Sequence, residues 1–91
     1  MSLKIIIPTA LRPLTENAAA VEVEASTVKE ALDQLCSRFD GLGRRLFKEG
    51  GQLNRFVNVY INDEDIRYLA DLDTPVKSGD SLSIVPAIAG G

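Results

Sequence analysis

The apolar positions of this chain follow two different periods, and each period predicts elements. Leu3, Ile5 and Ile7 alternate through a β-branched run, which predicts a strand over residues 3–8 with those three on one face. Ile6 faces the other way and implies that both faces of this strand are at least partly covered. Residues 9–19 read as a connection. Val21-Glu22-Val23-Glu24-Ala25 alternates strictly and predicts a half-exposed strand beside the first. At Thr27 the period changes from two to 3.6. Thr27-Val28-Lys29-Glu30 has the spacing of a capping box, in which the hydroxyl caps the backbone and the carboxylate reaches back. Val28, Ala31, Leu32, Leu35, Cys36 and Phe39 then form one apolar stripe, so the main helix runs from here to a stop at Asp40-Gly41.

The second half returns to period two. Leu42, Leu46 and Phe47 suggest a short helical turn broken at Gly50-Gly51. Arg55 to Asn62 predicts the strongest strand, with Val57, Val59 and Ile61 inward and Phe56, Asn58, Tyr60 and Asn62 outward. Asn62-Asp63-Glu64-Asp65 is a turn that lacks the ligand spacing of a calcium loop. Ile66 to Leu69 reads as a short strand. Leu72 to Val76 is irregular, and Lys77-Ser78-Gly79-Asp80 is a turn. Ser81 to Val85 is the last strand, with Leu82 and Ile84 inward. Pro86 is expected to end ladder pairing. The order is strand, strand, helix, strand, short strand, strand. It predicts an α+β domain: a mixed four- to five-stranded sheet with one main helix packed across it. The first and last strands are expected as parallel neighbours near the centre, where strands lose solvent on both faces.

Composition narrows the chemistry. Ninety-one residues make one small domain with little room for an enclosed active site. The formal net charge of −3 argues against a nucleic-acid footprint. No apolar run reaches bilayer-spanning length, and the apolar start is too short for a signal peptide, so no membrane association is expected and the expected compartment is the cytoplasm. There is no histidine and only one cysteine, Cys36. Histidine-based acid–base chemistry, an internal disulfide and the usual zinc sites are therefore excluded. Cys36 lies on the helix stripe and reads as a small core residue. Arg44, Arg45 and Lys48 are either a docking surface or a solvated face. Phe56 and Tyr60 either mark a partner surface or cover the sheet edge.

The one conspicuous reactive element is the end of the sequence, Pro86-Ala87-Ile88-Ala89-Gly90-Gly91. Glycine is costly to order, and a tail that need not fold escapes that cost. Residues 1–86 are thus expected as the domain and 87–91 as a flexible tail. With no Cβ at Gly90 or Gly91, such a tail can carry a carboxylate into a narrow channel of another protein.

The stretch Val76 to Gly91 has a Gly-Asp turn, an apolar strand, a proline, a small-residue tail and Gly-Gly. With the element order, it resembles the β-grasp fold of ubiquitin-like proteins, and more narrowly the ThiS/MoaD family of prokaryotic sulfur carriers. The likeness covers nearly the whole chain. Ile7-Pro8-Thr9-Ala10-Leu11-Arg12-Pro13 and Arg55 to Asp65 resemble the CysO-type carriers of cysteine biosynthesis. The resemblance implies a protein co-substrate, not an enzyme. An E1-like adenylyltransferase would use ATP and Mg²⁺ to adenylate the Gly91 carboxylate, with Gly90 beside it. Sulfur from a persulfide or sulfide would displace AMP and leave a thiocarboxylate. A PLP-dependent cysteine synthase would accept the sulfur, and a metallopeptidase would release the cysteine. The chain itself would bind no cofactor or metal. Phe56, Tyr60, Ile88 and Ala89 would be its partner-binding residues. The family context leaves two alternatives: the small subunit of molybdopterin synthase, and a ubiquitin-like modifier joined to lysines.

Overall fold

The computed structural model describes residues 2–48 and 51–86. Its strands are β1 (Ser2–Ile6), β2 (Ala20–Glu24), β3 (Val57–Ile61), β4 (Glu64–Asp65) and β5 (Ser81–Pro86). Two helices, α1 (Val28–Arg38) and α2 (Leu42–Leu46), lie between β2 and β3. The five strands form one mixed sheet in the order β2-β1-β5-β3-β4. Only β1 and β5 are parallel; every other pair is antiparallel. The last strand therefore sits at the centre, beside the first, as the apolar pattern of both demands.

The strand periods set the core. Leu3, Ile5, Val21, Val23, Val59 and Leu82 face inward and join Val28, Ala31, Leu32 and Leu35 of α1 in one buried cluster. Ile7 continues the inward set just past β1, and its N–H donates to the Ala19 carbonyl at 2.9 Å. Burying one such side chain is worth roughly 1.5–3 kcal/mol, so the sheet–helix layer holds the fold together.

The helix begins where its capping residues require. The Glu30 N–H donates to Thr27 Oγ1 at 3.2 Å, and the Glu30 carboxylate accepts from the Ser26 N–H at 2.8 Å. The reach back thus lands one residue earlier than the capping-box pattern specifies. Val28 N–H also donates to Thr74 O, and Val76 N–H donates to Ser26 O, both at 3.0 Å. These bonds stitch the approach to β5 onto the start of α1. Thr27→Ala is expected to cost about 1 kcal/mol. It should lower the urea midpoint of unfolding without changing the slope.

Several expectations need correction. Ile66–Tyr68 is a 3-10 turn, and the short strand is Glu64–Asp65. The Asp65 carboxylate accepts from the Arg67 N–H at 2.9 Å and turns the chain at once, so only Ile66 is buried there. The connection after β1 contains a 3-10 helix, Thr9–Thr15, closed by left-handed Glu16 and Asn17. Thr15 is buried, its hydroxyl lying between the carbonyls of Arg12 (3.3 Å) and Ala18 (3.4 Å). Pairing ends at Pro86 among the described residues, as expected, but Pro86 is itself a member of the ladder opposite Val57, so β5 runs one residue past Val85. Ile6 is 36% exposed, so the outer face of β1 is only partly covered at this position.

Candidate functional site at the end of the central strand

Two devices pin β5 at its start. In the turn before it, Gly79 takes φ +89°, and Asp80 N–H donates to Lys77 O at 3.0 Å. The Asp80 carboxylate accepts from Lys77 N–H at 2.7 Å and from the Asn62 side-chain amide at 3.0 Å. Asn62 in turn accepts from Ser81 N–H at 3.1 Å and donates its own N–H to Ser81 O at 2.9 Å. The Asn62 and Lys77 hydrogen bonds hold the Asp80 carboxyl below the usual carboxylate range. Asn62 and Asp63 both have positive φ and form the two-residue turn of the β3–β4 hairpin. The turn predicted from the sequence thus also fixes the register of the neighbouring central strand, which the sequence pattern did not reveal.

From this anchor β5 runs between β1 and β3 to Pro86, which faces Val57 at the first position of β3. Beyond Pro86, Ile88, Ala89, Gly90 and Gly91 of the expected site lie outside the described residues. Pro86 is therefore the last described residue before them.

Around β5 the outer sheet face has a defined pattern. Strand register aligns Ala20, Ile6, Ser83, Tyr60 and Asp65 in one row across the sheet. Val85 lies one step toward the exit of β5, opposite Asn58, and is 43% exposed. Tyr60 is half-buried in this row. Ile6, Val85 and Tyr60 thus leave an apolar strip on the solvent face, leading toward Pro86. Val85 was missed in the sequence because it follows an apolar run whose other members are core, and its parity opposite to Leu82 and Ile84 was the available signal; that of Ile6 was read but not tied to a site.

Phe56 is placed differently from Tyr60. It stands in the turn before β3, not in the strand, so strand alternation does not carry it onto the face of Tyr60. Its N–H donates to Asn54 Oδ1 at 3.0 Å, and the Arg55 guanidinium lies 5.1 Å from its ring centroid. Phe56 is 43% exposed and lines a groove of about 220 Å³ with Leu11, Arg44, Arg45, Val57 and Pro86. The two aromatics therefore flank the end of β5 from different sides: Tyr60 from the open sheet face, Phe56 from the sheet end.

Cys36 is half-buried against the core, with Gly43 closely apposed. Burial, followed by the nearby Asp33 charge, pushes its thiol up. That disfavours the thiolate and leaves Cys36 a packing residue. Among the described residues no cluster of three or more metal-ligating side chains occurs, and no helix is long and apolar enough to cross a membrane. The described geometry offers a strand exit between the outer sheet face and a groove.

Comparison with known proteins gives the class to which this fold belongs. The ThiS family model matches residues 5–91. The sulfur carrier protein CysO of Mycobacterium tuberculosis is 40% identical over 93 residues, covering 100% of both chains. A crystal structure of the Amycolatopsis orientalis BexX/CysO complex contains a chain 47% identical to this one. It superposes with a TM-score of 0.90 over 98% of this chain and 99% of that one. The small archaeal modifier protein 1 of Methanosarcina acetivorans is 25% identical, with a TM-score of 0.90 over 99% and 96% of the two chains. The fold is the ubiquitin-like β-grasp. The chain belongs to the ThiS family.

Proposed function

We propose that this protein is a sulfur carrier of cysteine biosynthesis and that its reacting group is the Gly91 carboxylate. One observation carries the reading. The central strand of a CysO-like β-grasp domain is pinned at both flanks and delivers Pro86 to the surface five residues before Gly91. Those five residues can extend about 17 Å at roughly 3.3–3.6 Å each. That length takes a carboxylate well clear of the domain.

The chemistry follows from what a carboxylate lacks. At pH 7 an α-carboxylate is ionised, with a reference pKa of about 3.3–3.7. Its oxygen can attack the α-phosphorus of ATP, releasing pyrophosphate and forming an acyl-adenylate. Sulfide then attacks the acyl carbon and AMP leaves, which gives the thiocarboxylate. ATP and Mg²⁺ belong to an E1-like adenylyltransferase, and PLP to the cysteine synthase that accepts the sulfur. A metallopeptidase would then free the cysteine. The domain supplies recognition, and Gly90 and Gly91 supply a chain end without a Cβ. The protein is a co-substrate of these enzymes, acting in the cytoplasm.

Docking uses the surface around the β5 exit: Tyr60 on the open face, Phe56 at the sheet end, and Ile88 and Ala89 in the tail. Aromatic anchors at interfaces commonly contribute more than about 1–2 kcal/mol each. Phe56→Ala and Tyr60→Ala should each raise the carrier KM for thiocarboxylation about tenfold while thermal stability holds. Unchanged kinetics for both variants would remove these residues from the interface. A second reading, conjugation of Gly91 to lysines, is favoured by the likeness to the small archaeal modifier protein. A ladder of larger species on immunoblots with an antibody to this chain would support it.

A further inference from the structure

The arginine groove beside the β5 exit is not used by the chemistry above. Arg44 and Arg45 come from α2, which Gly41 sets up by taking φ +88° after α1. Leu42 and Leu46 of α2 are fully buried, so the helix is bolted to the core and its two arginines are turned to solvent. They line the groove with Leu11, Phe56, Val57 and Pro86. Lys48 and Arg55 are exposed nearby in sequence. Four of the chain's ten basic residues thus fall between positions 44 and 55, where Glu49 is the only acidic one among thirteen. In a chain of net charge −3, Arg44 and Arg45 therefore give this groove a positive rim with no acidic residue in its lining, and the rim adjoins Pro86, the last described residue. The ion pairs among the described residues, Lys29–Asp33 and Arg67–Asp65, lie elsewhere.

We infer that this groove docks an acidic segment at the mouth of the channel in the activating enzyme that receives the tail. The inference rests on the carrier reading above and adds the chemistry of the partner surface. Its geometric basis is reach. With about 17 Å of chain beyond Pro86, a protein that encloses the Gly91 carboxylate must bring its channel mouth against the residues around Pro86. Arg44, Arg45 and Phe56 are among those residues. Its electrostatic basis is complementarity: a positive rim on an otherwise acidic surface attracts and orients a negative one. Such rims act chiefly on the rate and register of encounter, and their effect falls with salt. Phe56 supplies the apolar floor against which that acidic segment packs.

The test is steady-state thiocarboxylation of the full chain by the E1-like enzyme of the same organism, with ATP and sulfide, at varied carrier concentration. The double substitution Arg44→Glu with Arg45→Glu should raise the carrier KM tenfold or more at about 50 mM salt and leave kcat within twofold. The deficit should shrink at about 0.5 M salt, where the Debye length is only some 4 Å. Lys29→Glu, on α1 away from the groove, should leave KM unchanged. Arg44→Gln with Arg45→Gln should fall between and keeps the test valid should charge reversal disturb folding, as circular dichroism would reveal. An unchanged KM in the reversed variant, with the wild type loaded normally, overturns the groove alone. A wild type that is never loaded overturns the carrier reading and the groove together. A loss in kcat rather than KM would place the arginines in the chemistry, not in docking. Arginine side-chain NMR signals of the free protein provide a second readout. Should the Arg44 and Arg45 signals shift when Gly91 is deleted or when ATP alone is added, the groove holds the chain's own carboxylate or a phosphate, and the inference fails.

Discussion

Removing Gly90 and Gly91 abolishes sulfur loading completely and leaves the unfolding temperature of the domain unchanged. Both halves of this expected result come from the same geometry. Among the described residues the core draws on positions up to Ile84 and the ladder runs to Pro86, so the described sheet and core are complete without the last two residues. The reacting carboxylate of the proposed function, by contrast, is theirs. The truncated chain still ends in a carboxylate, now on Ala89, but this is two residues shorter. It would stop roughly 7 Å short of the position that Gly91 reaches, and it would bring a Cβ where the channel expects none. A misplacement of even 1 Å at a reacting centre can cost about a hundredfold in rate. Thiocarboxylation followed by mass spectrometry, beside a calorimetric scan, checks the two halves. Loading of the truncated chain would show that the chemistry resides elsewhere.

Leu82→Ala has the opposite profile: it breaks the domain and leaves the tail's chemistry intact. Leu82 is fully buried at the centre of the sheet, opposite Ile5 on β1 and Ile61 on β3. Two ladders hold its backbone in place, so the surroundings cannot collapse into the cavity. Truncations of this kind cost about 2–5 kcal/mol, against a total of about 5–15 kcal/mol for a typical domain. At roughly 4–8 °C per kcal/mol for a domain of this size, the melting temperature should fall by about 8–40 °C. Loading should fail at temperatures above the new midpoint and return below it. Val85→Ala is the control on the same strand. Its side chain is on the outer face and 43% exposed, so stability should change little. Near-equal effects of the two substitutions would contradict the sheet register.

The sequence was legible where one period persisted for a whole element. Leu3-Ile5-Ile7, Val21-Val23, the α1 stripe and Leu82-Ile84 each announced the buried face that the structure shows. The central parallel pairing of first and last strands followed from their apolar character. Legibility ended where local hydrogen bonds outweighed the pattern. Ile66-Arg67-Tyr68-Leu69 has strand-like composition, yet the Asp65 carboxylate captures the Arg67 amide and turns the chain. Thr9–Thr15 has no helical stripe because a 3-10 turn repeats every three residues. Phe56 shared parity with Tyr60, but the strand begins one residue later, which moves Phe56 to the sheet end. The link from Asn62 to Asp80 spans eighteen residues and has no local signature at all. For the site, the sequence offered Gly90-Gly91 and the two aromatics. Only folding could bring Ile6, Val85 and Tyr60 onto one face of adjoining strands, or Arg44 and Arg45 into one groove with Pro86.

The central claim is that sulfur is loaded on the Gly91 carboxylate, and intact-mass analysis tests it most directly. The chain, incubated with ATP, Mg²⁺, its E1-like enzyme and sulfide, should gain the mass difference of one sulfur replacing one oxygen. Fragmentation should place that exchange at Gly91, and iodoacetamide should alkylate the new thiocarboxylate. A mass that stays unchanged under these conditions, or a gain of one whole sulfur atom that maps to Cys36, would contradict the account.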